Sequence, residues 1–200
     1  MNLPNKLTMF RIILIPFFVI AMMLISKDTM YFVYVSLIIY VIASFTDQLD
    51  GYISRKYNLI TDFGKIMDPL ADKLLVAAGF VMLTGMGIVP AWITVIVICR
   101  DFIMNAVRMF SAGDKVVIAA AWSGKVKTAF QLIGVCLAIL DILNINGGFF
   151  AFVNNYTSYS MFELVINAGM SISILIAVIA TIYSLIEYLS KYMKYIDYTK

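Results

Sequence analysis

Histidine is absent from all 200 residues, which removes the usual general base of neutral-pH chemistry, the serine–histidine triads and the imidazole sites that hold zinc. Only two cysteines occur. Cys99 and Cys136 both fall inside apolar runs, where a thiol packs as a small apolar group, so neither a disulfide framework nor a zinc site is expected. Charge is scarce too: 14% of residues are charged against 62% hydrophobic, and the mean hydropathy is +0.94. That balance excludes an ordinary soluble domain. Internal repeats, linkers and low-complexity tracts are missing, so residues 1–200 are expected to form a single membrane domain, and no nucleic-acid partner is expected.

What remains is apolar sequence in long runs. Stretches such as ITVIVIC and SISILIAVIATIYSLI are apolar on every side, without the strict alternation of a membrane barrel. Crossing about 30 Å of hydrocarbon at about 1.5 Å per residue takes a helix of some 20 residues. Six spans are predicted, near 9–26, 31–55, 62–86, 91–112, 122–143 and 159–190. The expected fold is an all-α, polytopic membrane protein with six transmembrane helices and a polar active-site cavity facing the cytoplasm. Residues 1–8 form a juxtamembrane segment, read either as a short interfacial helix or as an unstructured leader. The run after Lys6 and Arg11 lacks a small-residue cleavage pattern and is read as a retained first span.

Basic residues set the orientation. Lys6, Arg11, Arg55, Lys56, Lys65, Arg108, Lys115, Lys125, Lys127, Lys191, Lys194 and Lys200 all fall on one side, whereas the opposite connections carry Lys27. The excess of Lys and Arg puts both termini and that side in the cytoplasm.

Four acids interrupt the apolar pattern. Asp47, Asp50, Asp68 and Asp72 lie in the second and third spans, where an ionised carboxylate costs ~3 kcal/mol or more unless it meets a cation, water or partner. Asp47 and Asp50 are three apart, with Arg55 on the same broad helix face; Gly64, Asp68 and Asp72 follow at intervals of four. A short YNLI connection makes the two helices antiparallel neighbours, so each presents a carboxylate pair to the other. Oxygen-only ligation suits Mg²⁺ or Mn²⁺. Four carboxylates carry enough charge for two such ions, the usual clamp of phosphoryl transfer.

The string DQLDGYISRKYNLITDFGKIMDPLAD, residues 47–72, closely resembles the signature of the CDP-alcohol phosphatidyltransferase family, D-x2-DG-x2-AR-x8-G-x3-D-x3-D. Every fixed position agrees except Ser54, which stands where the family usually has alanine. The resemblance implies transfer of a substituted phosphoryl group from a CDP-linked lipid to an alcohol, with release of CMP. Asp47, Asp50 and Asp68 would then be chiefly metal ligands. Asp72 would be the general base toward the acceptor hydroxyl and could also touch metal, while Gly51, Arg55 and Gly64 would lie against the CDP moiety. It also implies a homodimer, for which Gly169, Ser171 and Ser173 of the sixth span offer small residues, internal packing explaining them equally well.

The acceptor must be read from residues outside the signature, and those are cationic. Asp101, Asn105 and Arg108 share one stripe of the fourth span beside Arg100, and Lys125 and Lys127 open the fifth among small and hydroxyl residues. Their number favours a phosphorylated alcohol, although interfacial anchoring and a structural ion pair of Arg100 with an acid are the plainer alternatives. LPNKLTMFRIILIP, RDFIMNAVRMF and GKVKT are most similar to bacterial family members that use glycerol 3-phosphate, which brings Thr8 and Arg11 into the candidate acceptor site. CDP-diacylglycerol and glycerol 3-phosphate are thus the expected substrates, in a bacterial plasma membrane, among membrane lipids. Inositol phosphate, serine and phosphatidylglycerol remain alternative acceptors, and a cation transporter is the remote alternative.

Overall fold

The computed structural model describes residues 3–56, 62–113, 122–144, 147–155 and 160–193. Seven helices follow one another: α1 (Leu3–Met23), α2 (Tyr31–Lys56), α3 (Asp62–Gly85), α4 (Ala91–Gly113), α5 (Trp122–Asp141), the short α6 (Ala151–Asn155) and α7 (Met161–Met193). No strand occurs among the described residues. The six long helices coincide with the six apolar segments. Three of them, over Asn5–Met23, Tyr31–Gly51 and Met161–Ser190, are long and apolar enough to cross a membrane by themselves. The other three break their apolar runs with Asp68, Asp72 and Lys73 in α3, Arg100, Asp101 and Arg108 in α4, and Lys125 and Lys127 in α5.

Burial is inverted relative to a water-soluble protein. Arg11, Asp141 and Asn167 are fully buried, while Phe17, Phe45, Ile38, Val81 and Phe102 are exposed, the last at 70%. An apolar outer belt around an interior that holds buried charges beside its apolar core fits hydrocarbon as the outer solvent.

Local chemistry sets the turns. The chain leaves α3 through a Schellman turn: Gly87 takes φ +77°, Ile88 N donates to the Leu83 carbonyl across 3.0 Å, and Gly87 N to that of Thr84. Only glycine adopts that backbone without strain, and Pro90 prevents the helix from resuming. At α7, Ser160 and Glu163 form a reciprocal capping box, Glu163 accepting from Ser160 N at 2.7 Å and Ser160 Oγ from Glu163 N at 3.3 Å. Leu3–Thr8 is helical and continuous with the first span. Pro4 is tolerated there because the first turn needs no amide donor.

Phe18, Tyr40, Phe80, Leu83, Ile139 and Ile174 pack in one core that draws on every long helix. α5 and α7 lie against each other over a long seam. Gly134 and Gly169 permit this approach, because an added Cβ would come within 2.8 Å of Ile174 and 3.3 Å of Leu137 respectively. Ser171 is fully buried and accepts from Phe150 N. The small residues of α7 therefore serve packing inside the chain.

Candidate active site

Two polar clusters form where α1 and α2 meet and where α4, α5 and α7 meet. In the first, Asn5, Thr8 and Arg11 recur every three residues on α1 and are all buried. Arg11 is wholly enclosed and reaches α2: Nη2 donates to Asp50 Oδ2 at 2.5 Å, and Nη1 pairs with Asp47 Oδ1 across 2.6 Å. Thr8 Oγ1 donates to the same Asp50 oxygen at 3.4 Å. Asp50 is nearly inaccessible, whereas the Asp47 side chain is 38% exposed. The i, i+3 spacing on each helix brings two carboxylates to one guanidinium. Among the described residues Arg11 Nε finds no hydrogen-bond acceptor, an unusual state for a buried donor.

The second cluster is built around Asp101 on α4. Its Oδ1 accepts from Arg100 Nη1 at 3.1 Å and from Lys127 Nζ of α5. Arg100 Nη2 donates to Ser184 Oγ of α7 at 2.6 Å, and Ser184 in turn donates to the Thr181 carbonyl. One carboxylate thus neutralises two cations only in part, and among the described residues Arg100 Nε, Gln131 Nε2 and Thr181 Oγ1 are buried without hydrogen-bond partners. Beside it, a cavity of about 80 Å³ between α3 and α4 is lined by Lys73, Leu74, Asp101, Phe102 and Asn105. Most of its lining is apolar, and Asp72 is not part of it.

Of the four signature acids, the described residues bring Asp47 and Asp50 together, and half-buried Asp72 stands on α3 with buried Gly64 two turns before it. Within those residues no three acids cluster. The side chains of Arg55, Asp68, Arg108 and Lys125 lie outside the described residues. Arg100 and Lys127 meet at Asp101, their common partner. Thr8 and Arg11, expected at the acceptor, lie against Asp47 and Asp50. Asn5 and Ser184 went unnoticed in the sequence. Asn5 could have been found from its three-residue spacing to Thr8 and Arg11; Ser184 gives no signal within its apolar run.

The Asp47–Asp50 pair suits a hard divalent cation. Its donors are all oxygen, both carboxylates already converge on one positive centre, and partial exposure of Asp47 leaves an approach.

A profile of the CDP-alcohol phosphatidyltransferase family matches residues 1–183. A Bacillus subtilis (strain 168) protein named CDP-diacylglycerol--glycerol-3-phosphate 3-phosphatidyltransferase is 38% identical over 199 residues, covering 95% of this chain and 94% of its own. A Haemophilus influenzae protein of the same name is 37% identical, covering 94% and 91%. One from Salmonella typhimurium is 40% identical over 137 residues, 66% of this chain and 73% of its own. Profile and relatives together span nearly the whole sequence, the signature acids and Arg11 included, and the chain belongs to the CDP-alcohol phosphatidyltransferase family.

Proposed function

We propose that the protein transfers the phosphatidyl group of CDP-diacylglycerol to the 1-hydroxyl of sn-glycerol 3-phosphate, giving phosphatidylglycerol phosphate and CMP. The observation that carries this reading is the pairing of Asp47 and Asp50, at the head of the family signature, with one buried cation, in a chain aligned over 95% of its length with a relative of that name.

Asp47, Asp50, Asp68 and Asp72 would hold two Mg²⁺ or Mn²⁺ ions, which when bound supply charge stabilisation on the diphosphate and on departing CMP. The remaining chemistry belongs to the chain. Gly51, Arg55 and Gly64 receive the CDP moiety, glycine leaving room for the nucleotide beside the helix backbone. Asp72 takes the proton of the glycerol 1-hydroxyl. As that oxygen bonds to the phosphorus carrying diacylglycerol, the bond from this phosphorus to the CMP oxygen breaks. Arg100 and Lys127, sharing one counter-charge at Asp101, retain positive charge for the acceptor phosphate, a role proposed also for Arg108 and Lys125, whose side chains lie outside the described residues. Thr8 and Arg11, through their contacts with Asp47 and Asp50, act on the donor side instead.

The excess of Lys and Arg at one end puts both termini and the site on the cytoplasmic face of a bacterial plasma membrane, with six spans in all. Glycerol 3-phosphate enters from water while the acyl chains stay in lipid. A homodimer would use a face other than Gly169, Ser171 and Ser173.

Purified protein supplied with CDP-diacylglycerol, Mg²⁺ and labelled glycerol 3-phosphate should release CMP and label lipid. Serine and inositol phosphate, offered separately, should be poor substitutes. Preferential use of serine would overturn the acceptor assignment.

A further inference from the structure

Arg11 lies outside the 47–72 signature, on a different helix, yet occupies the position between Asp47 and Asp50 where positive charge is most favourable. It is fully buried, and among the described residues its Nε lacks a hydrogen-bond acceptor, while Nη1 is held by the ion pair with Asp47. A guanidinium satisfied by its carboxylates alone would not leave a donor idle in a buried site. The idle Nε points to a further anionic partner. A divalent cation taking the same carboxylates would compete for the oxygen lone pairs that Arg11 uses, and would bring like charge against it.

We propose that Arg11 is an exchangeable counter-cation: it holds Asp47 and Asp50 together in the metal-free protein, and on cation binding transfers its hydrogen bonds to a phosphate oxygen of the CDP-lipid donor. This rests on the metal-binding reading of Asp47 and Asp50 given above. Each ligand then relieves a cost imposed on the other. Without the diphosphate, the cation must displace Arg11 into a buried site with no acceptor; with the diphosphate, the displaced guanidinium has one. Cation and donor lipid therefore bind cooperatively, and by linkage the enhancement is the same in both directions. Arg11 is a positioning residue that couples the two.

The test is Mn²⁺ binding to the full chain in detergent, read from the electron paramagnetic resonance signal of free Mn²⁺, with and without CDP-diacylglycerol. Wild type should bind Mn²⁺ weakly alone and more tightly with the lipid. Arg11→Gln should bind Mn²⁺ alone about tenfold tighter, the scale on which removal of an adjacent charge shifts proton binding to a carboxylate. It should also lose most of the enhancement by lipid. Arg11→Lys, which keeps the charge but cannot bridge both carboxylates with a planar fork, should fall between the two and serves where the glutamine variant does not fold. Lipid-free Mn²⁺ affinity that is unchanged or weaker in these variants overturns the proposal while leaving the metal site intact. Asp50→Asn separates the underlying reading: undiminished Mn²⁺ affinity in that variant would remove the metal site, and this proposal with it.

Discussion

Asn167 of α7 donates its side-chain amide to both carboxylate oxygens of Asp141 at the end of α5, each across 2.9 Å. Asp141 also accepts from Asn144 Nδ2 at 2.7 Å and Gly148 N at 2.8 Å, and Asn167 further donates to the Gly148 carbonyl. Both side chains are fully buried. This network lies where α5 ends and ties the following loop to α7, away from the start of α5 that carries Lys127. A buried carboxylate that loses a donor bears the desolvation penalty without compensation. Asn167→Leu should therefore cost about 2 to 3 kcal/mol, seen as a lower melting temperature in detergent, while kcat measured well below that temperature stays near wild type.

Asp50→Ala should lose at least about a thousandfold in turnover, since a bound metal supplies several kcal/mol and each 1.4 kcal/mol is a factor of ten. Asp47→Ala should behave alike. The two differ in stability, because Asp50 is nearly inaccessible and Asp47 is 38% exposed. Removing Asp50 also strips Arg11 of its short hydrogen bond, so Asp50→Ala should melt at the lower temperature. Near-normal CMP release in either variant contradicts the assignment.

Gly134→Val should disrupt the α5–α7 seam. Even a Cβ would come within 2.8 Å of Ile174 Cγ1 and 3.4 Å of its backbone nitrogen, leaving little room for adjustment. Overpacking of this kind costs about 1 to 3 kcal/mol. Gly85→Ala is the matched control, because nothing lies within 4 Å of its added carbon, and alanine favours the helix. Its melting temperature should equal or slightly exceed that of wild type.

The long helices were legible because membrane spans announce themselves as apolar runs, and the Asp47–Asp50 face because spacing within one helix fixes which side chains are neighbours. What spacing cannot give is the partner helix. Thr8 and Arg11 were singled out by resemblance, but their place against α2 depends on how α1 packs. The same holds for Asp141, which meets Asn167 across 26 residues of chain. Helix α6 escaped notice because it is five residues long and lies in a segment rich in Gly, Asn and Ser, where composition signals a loop.

Lys127 offers the sharpest division between a substrate-binding role and a structural one. It is 3% exposed and bonds to Asp101, which Arg100 also holds at 3.1 Å. If Lys127 only balanced Asp101, Lys127→Met would lower stability and leave substrate affinities alone, since Arg100 would still neutralise the acid. If it binds the acceptor phosphate, losing one charge-assisted hydrogen bond of about 1.5 to 3 kcal/mol raises the KM for glycerol 3-phosphate roughly 10- to 100-fold. The KM for CDP-diacylglycerol should stay within about twofold, because the donor-side cation Arg11 lies against a different pair of acids, Asp47 and Asp50. Lys127→Arg keeps the charge and should recover a large part of the loss. The expected outcome is this selective rise with partial rescue, measured by initial rates over both substrate concentrations; equal rises for both substrates, or none, would place Lys127 among the structural residues.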